Sequence, residues 1–372
     1  MGEDTGKKQG DTVYKQLAQR LDAIPNGFPA TESGVELRIL AKLFTPQEAA
    51  LALHLKLATE YAEQIAQRTG ADPLATEATL KGMAGKGLIR MKRGQKGPVF
   101  GLIPYVVGIY ELQISRMDEE MARLFEDYYK EAFHKALKLQ QRVIPVEKAV
   151  QVGLEVLPYE RASEILAHAQ SWGVLDCICR VQKKLLGQPC EHPINICLMF
   201  SKKPNAYEKA KHIKSLTKEE AMEVLRRAEE AGLVHTTGNY QGEIEYICNC
   251  CACACGILRG AAEFGILSIL APSAFRVSVD ERLCVGCDLC LERCQFKALS
   301  VVDGMCKVDE QRCFGCGICI SSCGDGALSL APRPPSQVKT PPESLGEWMM
   351  ERAIVRGLDL EKLEDIMGKI HQ

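Results

Sequence analysis

One cysteine pattern is written twice near the carboxyl end, 29 residues apart, and no other feature restricts the fold as tightly. Cys284-Val285-Gly286-Cys287-Asp288-Leu289-Cys290 is followed after three residues by Cys294, and Cys313-Phe314-Gly315-Cys316-Gly317-Ile318-Cys319 at the same interval by Cys323. A C-x2-C-x2-C-x3-C run is the spacing that wraps a [4Fe–4S] cube, and a tandem pair predicts two of them. The repeat extends beyond the cysteines. Val279-Asp280-Glu281 matches Val308-Asp309-Glu310, and Ala298-Leu299-Ser300 matches Ala327-Leu328-Ser329. Each half therefore reads as a strand, a cysteine loop with a helical turn, and a return strand, the two halves packing about a pseudo-twofold axis. Gly286 and Gly315 are expected to let backbone amides approach the cluster sulfides, because no Cβ intervenes.

Over residues 276–331 these motifs resemble the bacterial two-cluster ferredoxins. The resemblance implies that the fourth cysteine of each run crosses to the other cluster. Cys284, Cys287, Cys290 and Cys323 would then hold one [4Fe–4S] cluster, and Cys313, Cys316, Cys319 and Cys294 the second. One departure is visible: the proline usual after the fourth cysteine is Gln295 in the first run and Gly324 in the second. A zinc reading of the eight thiolates is weaker, since zinc sites favour paired C-x2-C knuckles over three cysteines in a row.

The chain has 372 residues, enough for two or three domains, and a formal net charge of −2, which points to neither nucleic acid nor anionic lipid. Its eighteen cysteines would suit a disulfide scaffold only in an oxidising compartment. The amino end, Met1 to Lys8, has no apolar stretch behind it, and the apolar segment Val99 to Tyr110 is too short for a membrane span and interrupted by Gly and Pro. A reduced, cytoplasmic, metal-binding protein with no membrane span is expected.

The expected fold class is α+β and multidomain. Residues 1–33, polar and Gly-containing, form a mobile lead-in. Residues 34–115 form a winged-helix-like domain. It has helices at Val35 to Phe44, from Thr45-Pro46 with a Glu48 capping box, at Thr59 to Thr69, and from Asp72-Pro73 to about Lys86. A strand at Gly87 to Met91 and another at Val99 to Ile103 flank the basic loop Lys92 to Gly97. Between Lys81 and Lys96 there are six Lys or Arg and no acid, enough for phosphate contacts and weak DNA binding. The helix Leu74 to Met83 offers Ala, Thr and an acid where a base-reading helix carries Arg, Lys, Asn or Gln. Docking to a protein partner is the preferred role.

Residues 116–275 form a helical, Cys-rich middle domain. A long helix is predicted from about Met117 to Gln140, another from Glu160 to Ser171, and a capping box at Thr217-Lys218-Glu219-Glu220 opens one that closes at Gly232. Ile244 to Ile247 reads as a strand. Nine cysteines lie here in two groups: Cys177, Cys179, Cys190 and Cys197, then Cys248, Cys250, Cys251, Cys253 and Cys255. If these stretches are extended, Cys177 and Cys179 share a face. Cys248 and Cys250 then point one way, and Cys251, Cys253 and Cys255 the other. Arg180 can neutralise a negative thiolate cluster, and His192 is read as a neighbouring donor or surface residue rather than a ligand. The remaining cysteine, Cys306, aligns with Val277 in the repeat and is expected to fill the core as a small hydrophobe.

Cys177-Ile178-Cys179-Arg180, Cys190-Glu191-His192-Pro193, Cys197-Leu198 and Cys248-Asn249-Cys250-Cys251, placed between a winged-helix-like start and a two-cluster module, resemble a group of multi-domain iron–sulfur proteins of strictly anaerobic bacteria. The resemblance covers nearly the whole chain. It implies electron transfer in anaerobic metabolism, beside larger oxidoreductases in a complex. The middle-domain cysteines are read as a further iron–sulfur cluster, with zinc or reduced thiols as the alternatives. Residues 332–372 open with Pro332-Arg333-Pro334-Pro335 as an extended linker and end in two short amphipathic helices, Glu343 to Arg356 and Leu360 to Ile370. No G-x-G-x-x-G follows a strand and no G-x4-G-K-[ST] loop is present, so no dinucleotide or NTP site is named. The expected function is a single-electron carrier or adaptor between redox protein partners. Two alternatives remain open at this level: a redox-sensing winged-helix regulator that binds DNA, and a catalytic iron–sulfur oxidoreductase using the middle domain.

Overall fold

The computed structural model describes residues 3–151, 156–208, 210 and 212–368. It is a mixed α+β structure of two compact units, Met1–Leu137 with Met349–Gln372, and Lys138–Trp348.

In the first unit, Thr45 caps the helix Pro46–Ala52 through a full capping box with Glu48. Asp72 accepts from the Ala75 amide to open Pro73–Gly85. A three-stranded antiparallel sheet sets Pro98–Gly101 between Glu60–Tyr61 and Arg90–Arg93, so the residues expected to begin a helix at Thr59 first form a short strand. Residues 3–33 differ from the expected lead-in. They contain the helix Glu3–Asp22, and Leu17, Leu21, Ile24 and Phe28 are buried, because an apolar i, i+4, i+7 row is hidden in a stretch of polar composition.

The expected long helix after Met117 is also interrupted. Glu119–Tyr128 passes through a wider π turn at Tyr129–Phe133 and ends at Ala136. Tyr128, Tyr129, Phe133 and His134 are all buried, more than one stripe of a regular helix can cover. Phe28, Tyr105, Phe125, Tyr128 and Phe133 pack ring against ring. Lys42 lies 3.0 Å from Asp118, which ties this segment to Val35–Leu43, so the unit ends at Leu137 rather than near residue 115. The helix Leu360–Met367 closes the unit. The Leu57 and Ala58 amides donate to Ile366 and Met367 carbonyls at 2.8 and 2.9 Å.

The second unit is built on a seven-stranded mixed sheet. Its strand order is Leu270–Ala271, Gln141–Ile144, Val234–Thr237, Tyr246–Cys250, Asn195–Ser201, Ser171–Asp176 and Lys214–Leu216. The helix Lys218–Glu230, capped by Thr217 and Glu220, places Ala221, Val224, Leu225 and Ala228 in the core with Ile196, Leu198 and Ile247. The helix expected from Glu160 to Ser171 is shortened to Ala162–Ala167, because Ser171 already pairs with Ser201 in the sheet.

The 29-residue repeat forms two interlaced hairpin-like pairs. Phe275–Val279 pairs with Leu328–Pro332, and Leu299–Val302 with Met305–Val308, so the entry strand of the first half pairs with the return strand of the second. Register keeps the repeat: Val277 faces Leu330, and Cys306, its equivalent, faces Val301. The Asp280 and Asp309 amides donate to Ala327 and Ala298 carbonyls, both at 2.8 Å. Gly286 and Gly315 both adopt positive φ. A Cβ on Gly286 would overlap the Gly304 carbonyl, and one on Gly315 the Phe275 carbonyl. Close backbone crossing is what requires glycine at these two loops.

Candidate metal centres

Four thiols from the two cysteine runs line one cavity of the repeat. Cys284, Cys287, Cys290 and Cys323 surround it with Leu283, Val301, Ala327 and Leu328. Cys306 lies on the same wall: its amide donates to Cys284 Sγ at 3.3 Å and its thiol is 3.7 Å from Cys290 Sγ. The sequence placed Cys306 in an apolar core, where it is buried; its contact with two cysteines of the first run was not visible there. Burial and the Cys290 thiol push Cys306 up to about 12, so it stays a neutral thiol.

Cys294, Cys313, Cys316 and Cys319 form the other set, near enough for each charge to act on the next. Burial leads the upward shift of Cys316, to about 12, with Cys294 and Cys313 adding to it. Neutral thiols so crowded and buried gain from a cation that replaces their protons. Two equivalent amides already point at sulfur: Ala298 N donates to Cys294 Sγ at 3.3 Å and Ala327 N to Cys323 Sγ at 3.2 Å. Hydrogen bonds to ligand sulfur are one of the means by which proteins tune iron–sulfur potentials.

The nine middle cysteines fall into two groups that cut across their order in sequence. Cys177 neighbours Cys179 and Cys197, Cys197 neighbours Cys248, Cys248 neighbours Cys250, Cys250 neighbours Cys255, and Cys255 neighbours Cys179, so six thiols close a ring. Cys248 and Cys250 do share a strand face, as alternation predicts. Cys177 and Cys179 are not on a strand. The sheet strand ends at Asp176, Cys177 is the extended residue before the helix Ile178–Leu185, and Cys179 sits in its first turn. Cys255 leaves its expected partners, because a turn at residues 252–254 reverses the chain before the helix Gly256–Ala262. Hydrogen bonds from two thiol neighbours each hold Cys177 and Cys248 well below the ordinary thiol range, and the other four are held above it.

Cys190, Cys251 and Cys253 make a separate cluster whose sulfurs all lie within 4.8 Å of one another. Cys253 Sγ is 3.2 Å from Cys251 Sγ. That bond, with the Arg180 guanidinium and against burial, brings Cys251 down to about 5. Among the described residues no three thiols of the six-membered ring meet the same distance limit, so the ring is the wider of the two.

Arg180 links the two groups. It is almost fully buried; Nη1 donates to the Pro193 carbonyl at 2.9 Å, and Nη2 to the Asn249 carbonyl at 2.9 Å and Cys251 Sγ at 3.5 Å. Its Nε has no hydrogen-bond partner among the described residues. Burial would lower its pKa, yet the neighbouring cysteines raise it, Cys177 first and then Cys251, the two that are themselves held down as thiolates. Thiolate is the metal-ligating form of cysteine.

Behind the ring runs a buried polar chain that sequence reasoning missed. Asn249 Nδ2 donates to the Ile196 carbonyl at 2.6 Å, which leaves Oδ1 to accept from His235 Nδ1 at 2.5 Å; His235 Nε2 then faces Glu229 at 3.5 Å. Gln141 Nε2 and Thr236 Oγ1 lie 3.7 Å from Cys248 and Cys250 sulfurs. The one available signal was Asn249 itself, which alternation places on the opposite face from Cys248 and Cys250. Gln295, at the departure from proline, accepts from the Ala252 amide at 2.8 Å and donates to the Gly232 carbonyl at 3.0 Å, holding the Cys251–Cys253 loop beside Cys294.

No family model, curated protein or solved structure matches this chain. Among the described residues no helix is long and apolar enough to cross a membrane.

Proposed function

We propose that this chain is an iron–sulfur electron carrier or adaptor, passing single electrons between partner oxidoreductases in anaerobic, cytoplasmic metabolism. The observation that carries the reading is the convergence of Cys284, Cys287 and Cys290 with Cys323, and of Cys313, Cys316 and Cys319 with Cys294, each set holding a thiol from the other run. These residues suit two [4Fe–4S] clusters, which would supply one-electron redox chemistry. The chain's own part is to donate backbone N–H groups to sulfur. The six-thiol ring suits a further, polynuclear iron–sulfur centre. It is too open for one tetrahedral zinc, whose four sulfurs at about 2.3 Å would stand about 3.8 Å apart.

For the first unit we favour a winged-helix-like module that docks on a protein. Leu74, 78 % exposed at the start of Pro73–Gly85, and Met91, 51 % exposed on the hairpin, give it apolar contact area beside Lys92, Arg93 and Lys96. DNA affinity should be weak and steeply salt-dependent, since only phosphate contacts are on offer.

Anaerobic purification with iron and sulfide analysis tests the carrier reading. At least about eight irons per chain and a reversible low-potential signal are expected; four or fewer remove it. Charge reversal at Lys92, Arg93 and Lys96 should impair recovery of a redox partner. A footprint at one defined operator that survives physiological salt would instead promote the redox-sensing regulator.

A further inference from the structure

We infer that Cys190, Cys251 and Cys253 form a mononuclear, zinc-type site of their own, whose fourth position takes a small exogenous thiol and holds it as thiolate. This stands beside the iron–sulfur reading and does not depend on what occupies the six-thiol ring.

The first ground is distance. Three sulfurs all within 4.8 Å of one another, one pair at 3.2 Å, bracket the spacing of about 3.8 Å between sulfurs on a tetrahedral ion with bonds of about 2.3 Å. No other three Cys, His, Asp or Glu groups among the described residues come as close, so the triad stands apart from the wider sets suited to clusters.

The second ground is that the triad supplies three ligands within that distance, while His192, near enough for its charge to act on Cys251, stays outside it. No histidine or carboxylate among the described residues joins it within the same limit. Structural zinc sites close with four protein ligands, whereas sites that act on a bound molecule keep three and leave one position open. The open side can be located. Cys251 is buried and its sulfur takes the Arg180 Nη2 bond, which occupies the inner side, whereas Cys253 is exposed. The fourth position would therefore face solvent. The loop is fixed rather than trailing, because the amide of Ala252, between the two cysteines, is bonded to Gln295.

The third ground is charge and softness. A divalent ion with three thiolates carries one negative charge, and the Arg180 guanidinium lies against it, 3.5 Å from Cys251 Sγ. Soft thiolate surroundings favour a soft fourth ligand, and a thiol that coordinates is deprotonated outright. The step is a ligand exchange without redox change. Water leaves the ion, the metal–sulfur bond forms, and the thiol proton passes to solvent.

The test uses the full chain purified anaerobically, with zinc and iron counted by mass spectrometry and zinc coordination read by X-ray absorption. About one zinc per chain is expected, bound by three sulfurs at about 2.3 Å and one light atom at about 2.0 Å. Millimolar 2-mercaptoethanol should convert this to four sulfurs. Cys190→Ser with Cys253→Ser should lower zinc about tenfold and leave iron unchanged, while Cys294→Ser leaves zinc in place. Zinc retained in the double variant overturns the site, as does iron in its place or no metal beyond that of the clusters. Four sulfurs before any thiol is added, or three unchanged after it, overturns the open position, and the wild-type spectrum decides this even if the double variant misfolds. Missing iron with this zinc signature intact would sink the carrier reading and leave the site standing.

Discussion

Among the described residues, Arg180 is a buried guanidinium set against thiols. Arg180 is held by two carbonyls and faces thiols on both sides, so its charge is compensated only while those thiols are anionic. Replacing it with Met should leave those thiolates without their cation, at a cost of about 3–5 kcal/mol. The expected result is an anaerobic unfolding transition several degrees lower and reduced middle-domain metal, with Arg180→Lys intermediate; unchanged metal and stability would dismiss the role. Cys294→Ser should selectively damage the cluster shared with Cys313, Cys316 and Cys319. An EPR titration should show the other cluster intact, and symmetrical loss of both would argue against crossed ligation. At this scale the cysteines and Arg180 were legible because their chemistry is written in their identity. The partition into six and three was not. It depends on a three-residue turn that sends Cys255 away from Cys251 and Cys253, and parity along a strand says nothing about where the strand stops.

Elements with a local cause were the ones readable in advance. The capping boxes at Thr45/Glu48 and Thr217/Glu220 form as their spacing predicts, since both partners lie within one turn. The helix after Met117 stops short of its expected length because its end is set by aromatic side chains that must all be buried, a tertiary demand. Glycines divide in the same way. Gly82 lies on the exposed face of Pro73–Gly85 with open space where a Cβ would stand, so Gly82→Ala should raise stability by about 0.5–1 kcal/mol in chemical denaturation. Gly286→Ala and Gly315→Ala should do the reverse: a methyl group there meets a backbone carbonyl that cannot rotate away. Both should lower iron content on anaerobic reconstitution, and wild-type loading in either would show that the two strands can separate at that crossing.

All eighteen cysteines, from Cys177 to Cys323, belong to the second unit, and none to the first. Removing metal should therefore strip amide protection from residues 138–348 and leave it intact around the aromatic cluster of Phe28, Tyr105 and Phe125, as hydrogen exchange with and without chelator can show. Equal loss in both units would mean that they unfold as one. The boundaries were the least legible feature at this scale. Residues 116–137 and the last two helices carry no marker of the unit they join; that is decided by ion pairs and backbone bonds to residues some eighty to three hundred positions away. The same long reach governs how the chain can be made. Phe275–Val279 waits for Leu328–Pro332, and Leu57 and Ala58 wait for Ile366 and Met367. As the polypeptide leaves the ribosome, neither unit can reach its closed form from its early residues alone. Cys284, Cys287 and Cys290 lack the fourth cysteine of their cavity until Cys323 has followed them out. On the proposed ligation, a truncation anywhere before Cys323 would leave the first run one sulfur short of a cluster.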